Sequence, residues 1–293
     1  MRAPTGDDAE LIAALFAGQR SVHAEEVRSW FRNPTFDVAR DFRVLERDGS
    51  LVGYVDVHAD DDRLWVDWAA DDAATGHALL DWATERAREQ GLARVRPWAW
   101  APSGDLVDVL RDRGFAPVRT SLEMRVQLPD AVPASRWPED VAVRSVREGE
   151  EPLVHALIEE AFADANDFRP TPYDEWEAWV LEPSRVDRDL WFAALDDDGL
   201  VAVAVCEHER AGETGLGWIE SLAVRRAWRR RGLGRALLLH AFRELHARGR
   251  TAAGLSVDAE NPTGAVSLYE SVGMRPVRTR VVYEKRLQAA AAV

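Results

Sequence analysis

The sequence contains very little cysteine and no long apolar stretch. Its single cysteine, Cys206, excludes an internal disulfide. The longest unbroken apolar run, residues 200–206, is far shorter than the roughly 20 residues that a membrane-spanning helix needs. No basic start followed by an apolar segment opens the chain. These absences predict a protein of the reducing cytoplasm that has no membrane partner.

Lysine is nearly absent, and acidic residues outnumber basic ones. The chain has 37 basic and 51 acidic residues, a net charge of -14, which excludes a surface built as a whole to bind nucleic acid or an anionic membrane. Lys285 is the only lysine, so the position of the arginines is more informative than their number. The histidines show no metal-ligand spacing, and no metal is predicted. A neutral or cationic small molecule is the partner that this charge favours.

An internal repeat divides the 293 residues, which exceed the usual size of a single core. The sequence G-F-A-P-V-R-T at residues 114–120 returns as G-M-R-P-V-R-T at residues 273–279, an offset of 159. Upstream, G-H-A-L-L at residues 76–80 returns as G-R-A-L-L at residues 234–238, an offset of 158. A nearly constant offset predicts one fold that occurs twice.

Both halves present the same order of predicted elements: a helical opening, a strand pair around an Asp-Gly turn, a further strand, a long helix, a strand, a short helix and a closing strand. This order predicts an α/β protein with a mixed sheet flanked by helices. Three prolines without periodicity mark a linker. The predicted domains are residues 1–128 and residues 141–293, and the linker is residues 129–140.

The second half has the clearer pattern. Residues 218–224 alternate as a strand, and a four-residue apolar stripe then predicts a helix that ends near Gly249. A short strand follows at residues 253–257. Asn261, with Pro262 at the first helical position, predicts the start of another helix, which ends at residue 271 or 272.

Arginines are concentrated at the turn between that strand and the long helix. Residues 225–235 read R-R-A-W-R-R-R-G-L-G-R, six arginines in eleven residues. A helix start offers unpaired N–H groups, glycines allow an anion close to the backbone, and arginine adds bidentate donors. The pattern therefore predicts a phosphate or pyrophosphate site. A solvated basic face is the alternative, but the two glycines directly before an apolar helix favour the site.

The same turn resembles the GCN5-related N-acetyltransferase (GNAT) superfamily, whose signature is Arg/Gln-x-x-Gly-x-Gly/Ala after its fourth strand. Arg229, Gly232 and Gly234 occupy those positions. The resemblance continues through residues 257–274, which look like the late strand, the Asn-containing turn and the tyrosine-bearing helix of that family. It covers most of residues 141–287.

The resemblance implies that acetyl-coenzyme A is the co-substrate. Its pyrophosphate would be held by backbone N–H groups of residues 230–235, and its pantetheine arm would pair with the preceding strand. The residues implied in cofactor binding are Leu222, Ala223, Val224, Arg229, Arg230, Arg231, Gly232, Leu233, Gly234, Arg235, Asn261 and Tyr269.

Transfer of acetyl to an amine needs a base for the amine and an acid for the leaving thiolate. Tyr269 is the candidate acid, and an aromatic ring packed in the core is the alternative. Glu220 is the candidate base, directly or through water, and strand alternation places it on the same face as Leu222 and Val224. A carboxylate that only attracts a cationic substrate is equally compatible with this position. Glu207 and His208 are rival bases.

The acceptor pocket of the family is built from its first helices, which here correspond to residues 162–179. Phe168, Tyr173 and Trp176 are the predicted substrate residues, since aromatic rings and nearby carboxylates suit an amine on an apolar or sugar-like body. The alternative is an amphipathic helix whose Trp176 and Trp179 face the core. Cys206 is predicted to be a buried structural thiol.

The first half is predicted to be a degenerate copy without an acetyl-coenzyme A site. Two carboxylates, Asp71 and Asp72, stand where the second half has Arg229 and Arg230, and negative charge opposes a pyrophosphate. In the aligned repeat, Leu110 replaces Tyr269, and Pro102 replaces Asn261.

The predicted function is acetyl-coenzyme A-dependent N-acetylation of a small-molecule amine by direct attack, in the second half, by a monomer or homodimer. The alternative is a non-catalytic acyl-coenzyme A sensor or interaction protein, against which the intact Asn261 and Tyr269 argue. Two halves with one working site resemble the layout of the mycothiol synthases, which acetylate a cysteinyl amine on a pseudodisaccharide. An antibiotic-acetylating enzyme is another specific possibility.

Overall fold

The protein is described by a computed structural model that covers residues 1–101, 104–181, 186–210 and 212–288. The predicted mixed α/β class is confirmed, and the elements follow the predicted order except for one additional strand, Ala142–Ser145, that opens the second half. The chain divides into two compact units. Unit 1 comprises Met1–Ser121 and Arg278–Val293, and unit 2 comprises Leu122–Val277. Within the described ranges, no helix has the length and apolar character needed to cross a membrane.

The elements of the first half follow the predicted order. Its strands are β1 (Phe42–Arg47), β2 (Ser50–Asp60), β3 (Arg63–Ala70), β4 (Arg94–Ala101) and β5 (Ala116–Gln127). Its helices are α1 (Ala9–Phe16), α2 (Ala24–Arg32), α3 (Val38–Asp41), α4 (Ala73–Glu89) and α5 (Gly104–Asp112).

The second half repeats that order after one additional opening strand. Its strands are β6 (Ala142–Ser145), β7 (Trp191–Asp196), β8 (Gly199–Glu207), β9 (Leu216–Val224), β10 (Ala252–Asp258) and β11 (Arg275–Arg286). Its helices are α6 (Glu151–Phe162), α7 (Tyr173–Val180), α8 (Leu233–Ala247) and α9 (Ala265–Ser271). Gly249 follows α8 with a φ of 81°, which confirms it as the glycine that ends this helix.

The sheet of unit 2 has the strand order β5-β10-β9-β8-β7-β6. Apolar residues of α8 and α9 pack on one face of this sheet, in a core that includes Leu237 and Ile219. Apolar residues of α6 and α7 pack on the other face, in a core that includes Leu157 and Trp191. Because both faces are covered, the strands carry nearly continuous apolar runs, as in residues 200–206 of β8.

The sheet of unit 1 has the order β1-β2-β3-β4-β11. Its last member is the C-terminal strand of the chain, which pairs antiparallel with β4 from Thr279↔Ala101 to Arg286↔Arg94. Unit 2, conversely, contains residues 122–127 of β5, which neighbours β10. The units therefore differ from the sequence halves, residues 1–128 and 141–293, in their closing strands, because those strands find hydrogen-bonding partners in the other half.

The predicted linker, residues 129–140, belongs to unit 2 and packs against α8. Residues 129–138 form neither helix nor strand, as their prolines indicate. The Ser135 hydroxyl donates a hydrogen bond to the Ala236 carbonyl at 2.9 Å. The ring of Trp137 packs against the α8 side of the core. This segment is thus fixed on the surface of α8.

Two carboxylates lie opposite each other on neighbouring strands of the sheet of unit 1. Asp56 of β2 lies directly opposite Asp67 of β3, and Asp67 forms an ion pair with Arg20. Burial, and then the charge of Asp67, raise the pKa of Asp56 well above its ordinary value. Like charges directly opposite on antiparallel strands destabilise the pair.

An Asp56→Asn variant is therefore expected to be more stable than the wild type at pH 8, by about 1 kcal/mol. Because the pKa of Asp56 is raised in the folded state, its neutral carboxyl favours folding at low pH. The folded state loses that stability as the pH rises through the raised pKa and the carboxyl becomes charged. The gain should shrink toward pH 4. Urea unfolding at both pH values measures it, and an equal effect at both would contradict the electrostatic explanation.

Candidate active site

The strand β9 has an open edge. Its parallel pairing with β10 covers Leu216–Trp218 opposite Ala252–Gly254, whereas β9 continues to Val224 and β10 to Asp258. The two strands separate beyond Trp218. Among the described residues, no strand pairs with residues 219–224 on that side. This edge can accept an extended amide-bearing chain in the manner of an added strand.

The backbone groups at that edge alternate in direction. The Arg225 N–H donates to the Val201 carbonyl at 3.0 Å, so the backbone groups of Ala223 also face β8. Those of Leu222 and Val224 face the open edge, and the Arg229 side chain donates to the Val224 carbonyl there at 3.3 Å. Of the three predicted strand residues, Leu222 and Val224 thus present backbone donors and acceptors to a ligand, and Ala223 does not.

The loop that follows β9 presents a run of open amides. Arg230 and Gly232 both adopt positive φ, 64° and 88°, and α8 begins at Leu233. The first N–H of this stretch that meets a protein acceptor is that of Ala236, which bonds to the Gly232 carbonyl. No described group accepts from the six N–H groups of residues 230–235. Six successive donors at the positive end of a helix fit a pyrophosphate.

Gly234 allows close packing at the start of α8. A methyl group added there would lie 3.0 Å from Cδ2 of Leu268 in α9, and 4.0 Å from Cδ2 of Leu222 in β9. The glycine therefore brings α9, which carries Tyr269, toward the open edge of β9. In this way the structure joins the predicted strand, glycine and tyrosine residues in one region.

Several arginines of the loop are bound to carboxylates of the chain. Arg226 and Arg229 both pair with Asp164, the latter at 2.7 Å, and Arg231 pairs with Asp140 at 2.8 Å. The two arginines lower the pKa of Asp164, and Arg229 has the larger effect.

Arg229 also donates to the Ala161 carbonyl at 2.9 Å, so it ties the end of β9 to the end of α6. Arg230 and Arg235 differ from these arginines, since no described carboxylate pairs with either.

The turn before α9 differs from the prediction. The helix begins at Ala265 after Gly264, which has a φ of 78°, so the expected helix start at Asn261 and Pro262 is wrong. The Asn261 side-chain oxygen accepts from the Thr263 N–H at 2.9 Å and from its hydroxyl. Asn261 thus closes a local Asx turn rather than capping the helix. The predicted end of the helix at residue 271 is confirmed.

Tyr269 lies in α9, and its ring packs in the core against the sheet. The residue is 8% exposed, and no described group forms a hydrogen bond with its hydroxyl. Burial raises the pKa of Tyr269 to about 12. The phenol therefore keeps its proton across the physiological range, as a proton donor must.

Glu220 lies at a β-bulge in β9. The register with β8 passes from Val205↔Ser221 to Cys206↔Ile219, so Glu220 is the extra residue. It is exposed, and one of its carboxylate oxygens accepts from the Trp218 indole N–H at 3.1 Å. The bulge directs this carboxylate out of the regular strand alternation.

The bulge overturns the predicted orientation of Glu220. Leu222 and Val224 pack on the α8 side of the sheet, whereas Glu220 lines a cavity with Trp191 and Val205, which belong to the α6 side. The expectation that Glu220 shares a face with Leu222 and Val224 is wrong, because one inserted residue reverses the alternation.

That cavity has a volume of about 170 Å³. Two carboxylates, from Glu207 and Glu220, and two indole rings surround it; the lining residues are Trp179, Val180, Trp191, Val205, Glu207 and Glu220. Acidic groups with aromatic walls suit a cationic amine. Glu207 was predicted as a rival base, whereas Trp191, which opens β7 directly after a short 3-10 helix at Arg188–Leu190, was not predicted.

The predicted acceptor residues lie elsewhere on the same side of unit 2. Trp176 is 9% exposed and packs in the core against Trp191, as the alternative interpretation of α7 expected. The Tyr173 hydroxyl donates to Glu177 at 2.8 Å, and burial followed by that carboxylate raises the pKa of Tyr173 to about 12. Phe168 is partly buried in the loop before α7. None of the three lines the cavity at Glu220.

Cys206 is fully buried on the α8 side of the sheet. Burial raises the pKa of its thiol, which keeps it protonated and unreactive. The prediction of a buried structural thiol is confirmed.

In unit 1, the N-terminus of α4 corresponds to that of α8, and it is already capped by a carboxylate of the chain. Asp72 caps α4 and accepts from the Thr75 N–H at 2.7 Å, and Arg47 pairs with it at 2.6 Å. Arg47 and that N–H together lower the pKa of Asp72. Leu110, in the place of Tyr269, is fully buried, and Pro102 lies outside the described residues.

Comparison with known proteins agrees with this arrangement of strand, glycine turn and helix. Residues 153–274 match the Acetyltransferase (GNAT) family. The second half of the chain thus contains a GNAT domain. The matched segment contains the open edge of β9, the amide loop and Tyr269, so the family resemblance drawn from residues 229–234 is confirmed.

Among the relatives of this chain is a mycothiol acetyltransferase of Acidothermus cellulolyticus, 32% identical over 212 residues, or 66% of this chain and 62% of the relative. The match thus spans less than two thirds of that relative. A GCN5-related N-acetyltransferase structure from Sphaerobacter thermophilus is 29% identical, with a TM-score of 0.79 over 97% of this chain and 94% of the other. The predicted acyltransferase class agrees with the names of both.

A tandem GNAT protein of the clavulanic acid biosynthesis pathway shares the fold, with a TM-score of 0.73 over 100% of this chain and 98% of its own. Its sequence identity is 16%, so the likeness concerns the fold alone. The repeated architecture predicted from the sequence is therefore one that a solved protein adopts.

Proposed function

We propose that this protein transfers acetyl from acetyl-coenzyme A to the amine of a small molecule, with its active site in unit 2. The observation that carries the proposal is the run of six open amides at residues 230–235 beside the open edge of β9. The two features are contiguous in the chain. Together they fit a ligand that has a pyrophosphate followed by an amide-bearing arm.

Each side chain then has a defined task. The acceptor amine would enter the cavity between Trp179 and Trp191, where Glu220 removes its proton directly or through water. The coenzyme, when bound, supplies the acyl group as a thioester. Tyr269 holds the proton that the departing thiolate needs. Asn261 lies in the turn before α9, and its role toward the coenzyme arm is part of the same proposal.

The first half is proposed to bind no coenzyme. The N-terminus of α4 bonds to Asp72, so an incoming phosphate would have to displace an internal carboxylate and its Arg47 partner. Gly76 retains the packing role of Gly234, since a methyl group there would lie 3.0 Å from Val109 of α5. The copy thus has the helix packing without the anion site.

Calorimetric titration with acetyl-coenzyme A tests the binding step. One molecule bound per chain is the expected result, and two would contradict the assignment of the first half. Release of free coenzyme thiol in the presence of an amine panel then tests catalysis. The panel includes the cysteinyl pseudodisaccharide that mycothiol synthases acetylate and aminoglycoside amines. Tight binding without thiol release by any amine would favour the acyl-coenzyme A sensor instead.

A further inference from the structure

We propose that the segment between the repeats completes the nucleotide end of the coenzyme site. In this inference, which rests on the proposed function, Arg136 and Arg235 bind the 3′-phosphate of the coenzyme and Trp137 contacts the adenosine. The segment would then select the 3′-phosphorylated coenzyme over its dephosphorylated form.

The first observation is a cavity at the start of α8. It has a volume of about 530 Å³ and is open to solvent, and its walls include Arg136, Trp137 and Pro138 of the linker with Arg231 and Arg235 of α8 and the loop before it. The cavity adjoins the open amides of residues 230–235. A ligand whose pyrophosphate lies on those amides has its adenosine end within reach of this cavity.

The second observation is the charge of the cavity. Arg231 is held by Asp140 and lies over the Trp228 ring at 4.1 Å. Arg136 and Arg235 are exposed, and no described carboxylate pairs with either of them. Two guanidinium groups without a protein partner, in a chain of net charge -14, mark this cavity as a site for a phosphate dianion.

The third observation is that the linker is held in place before any ligand arrives. The Ser135 hydroxyl bonds to the Ala236 carbonyl at 2.9 Å, and the Trp137 ring lies 6.0 Å from the ring of His240 in α8. Trp137 is only partly buried, so part of its indole surface is available to a purine. A fixed wall loses little conformational entropy when it binds a ligand.

A second cavity near the loop is a poorer candidate. It has a volume of about 550 Å³, and its lining includes Glu160, Arg226 and Ala163. Arg226 is already paired with Asp164, and the Glu160 carboxylate adds negative charge to this cavity. A phosphate there would meet an occupied arginine and a carboxylate, whereas the cavity at Arg136 offers two arginines and no acidic lining residue.

The test is calorimetric binding of acetyl-coenzyme A and of acetyl-3′-dephospho-coenzyme A at low ionic strength. The wild type is expected to prefer the phosphorylated form by about tenfold, since a charge-assisted hydrogen bond contributes about that much. Arg136→Gln should weaken binding of the phosphorylated form and leave the dephosphorylated form unchanged, so that the preference largely disappears. Arg235→Gln should act in the same direction.

Arg243→Gln is the matched control, because Arg243 is exposed on the same helix and loses the same charge. It should retain the wild-type preference. A preference that survives Arg136→Gln and Arg235→Gln, or a wild type that binds both coenzymes equally, would overturn this inference while the proposed function stands. If the wild type binds neither coenzyme, the proposed function fails, and this site with it.

Discussion

A Tyr269→Phe variant is expected to turn over at least about a hundredfold more slowly than the wild type, because a positioned general acid contributes about 10² to 10⁴ in rate. Its affinity for acetyl-coenzyme A should be unchanged. The ring packs in the core, and no described group bonds to the hydroxyl, so the substitution removes a proton donor and little else. Steady-state kinetics with the accepted amine and calorimetry of the coenzyme measure the two quantities.

The pH dependence makes this prediction specific. Burial raises the pKa of Tyr269 to about 12, so the phenol stays protonated throughout pH 6 to 10. The ratio of wild-type to variant kcat should therefore be constant over that range. Tyr283→Phe, a change at a similarly buried tyrosine of unit 1, should leave kcat unaltered. Equal turnover of Tyr269→Phe and the wild type would remove Tyr269 from the mechanism.

A fragment of residues 141–293, cut at the predicted domain boundary, is expected not to fold cooperatively. It lacks Met124 and Leu128, both buried in the core of unit 2, and the loss of each such side chain costs about 2–5 kcal/mol. It also carries residues 278–286 without β4, their hydrogen-bonding partner. Domains of this size are stable by only about 5–15 kcal/mol.

A fragment of residues 122–277 contains all of unit 2 and is the control. It should show a sharp thermal transition in near-ultraviolet circular dichroism, whereas the fragment of residues 141–293 should show a broad one and bind a hydrophobic dye. A cooperative transition in the fragment of residues 141–293 would mean that β5 contributes little to unit 2.

The sequence was sufficient to predict the elements on either side of residues 225–232. The alternation of residues 218–224 and the glycines before α8 are local signals, and β9 and α8 lie where these signals predict them. Asn261 misled the helix prediction because an Asx turn and an N-cap use the same side-chain acceptor. Only the positive φ of Gly264, which any glycine permits, distinguishes the two.

One feature of the candidate site and one feature of the fold could not be predicted. The bulge at Glu220 depends on how β8 and β9 align, and no residue type marks it in the sequence. The closing strands could not be assigned to their sheets because both begin with nearly the same repeat, residues 114–120 and 273–279. Local pattern carries no information on which of two similar edges a strand will join.

The carboxylate of Asp72 has a consequence for how the two units respond to metabolism. Asp72 supplies a negative charge to the N-terminus of α4 from within the chain. At the N-terminus of α8, such a charge would have to come from a bound ligand. A ligand that binds only the folded state adds stability in proportion to the logarithm of its concentration. If the proposed function holds, the stability of unit 2 would rise with the concentration of coenzyme, whereas the stability of unit 1 would not depend on it.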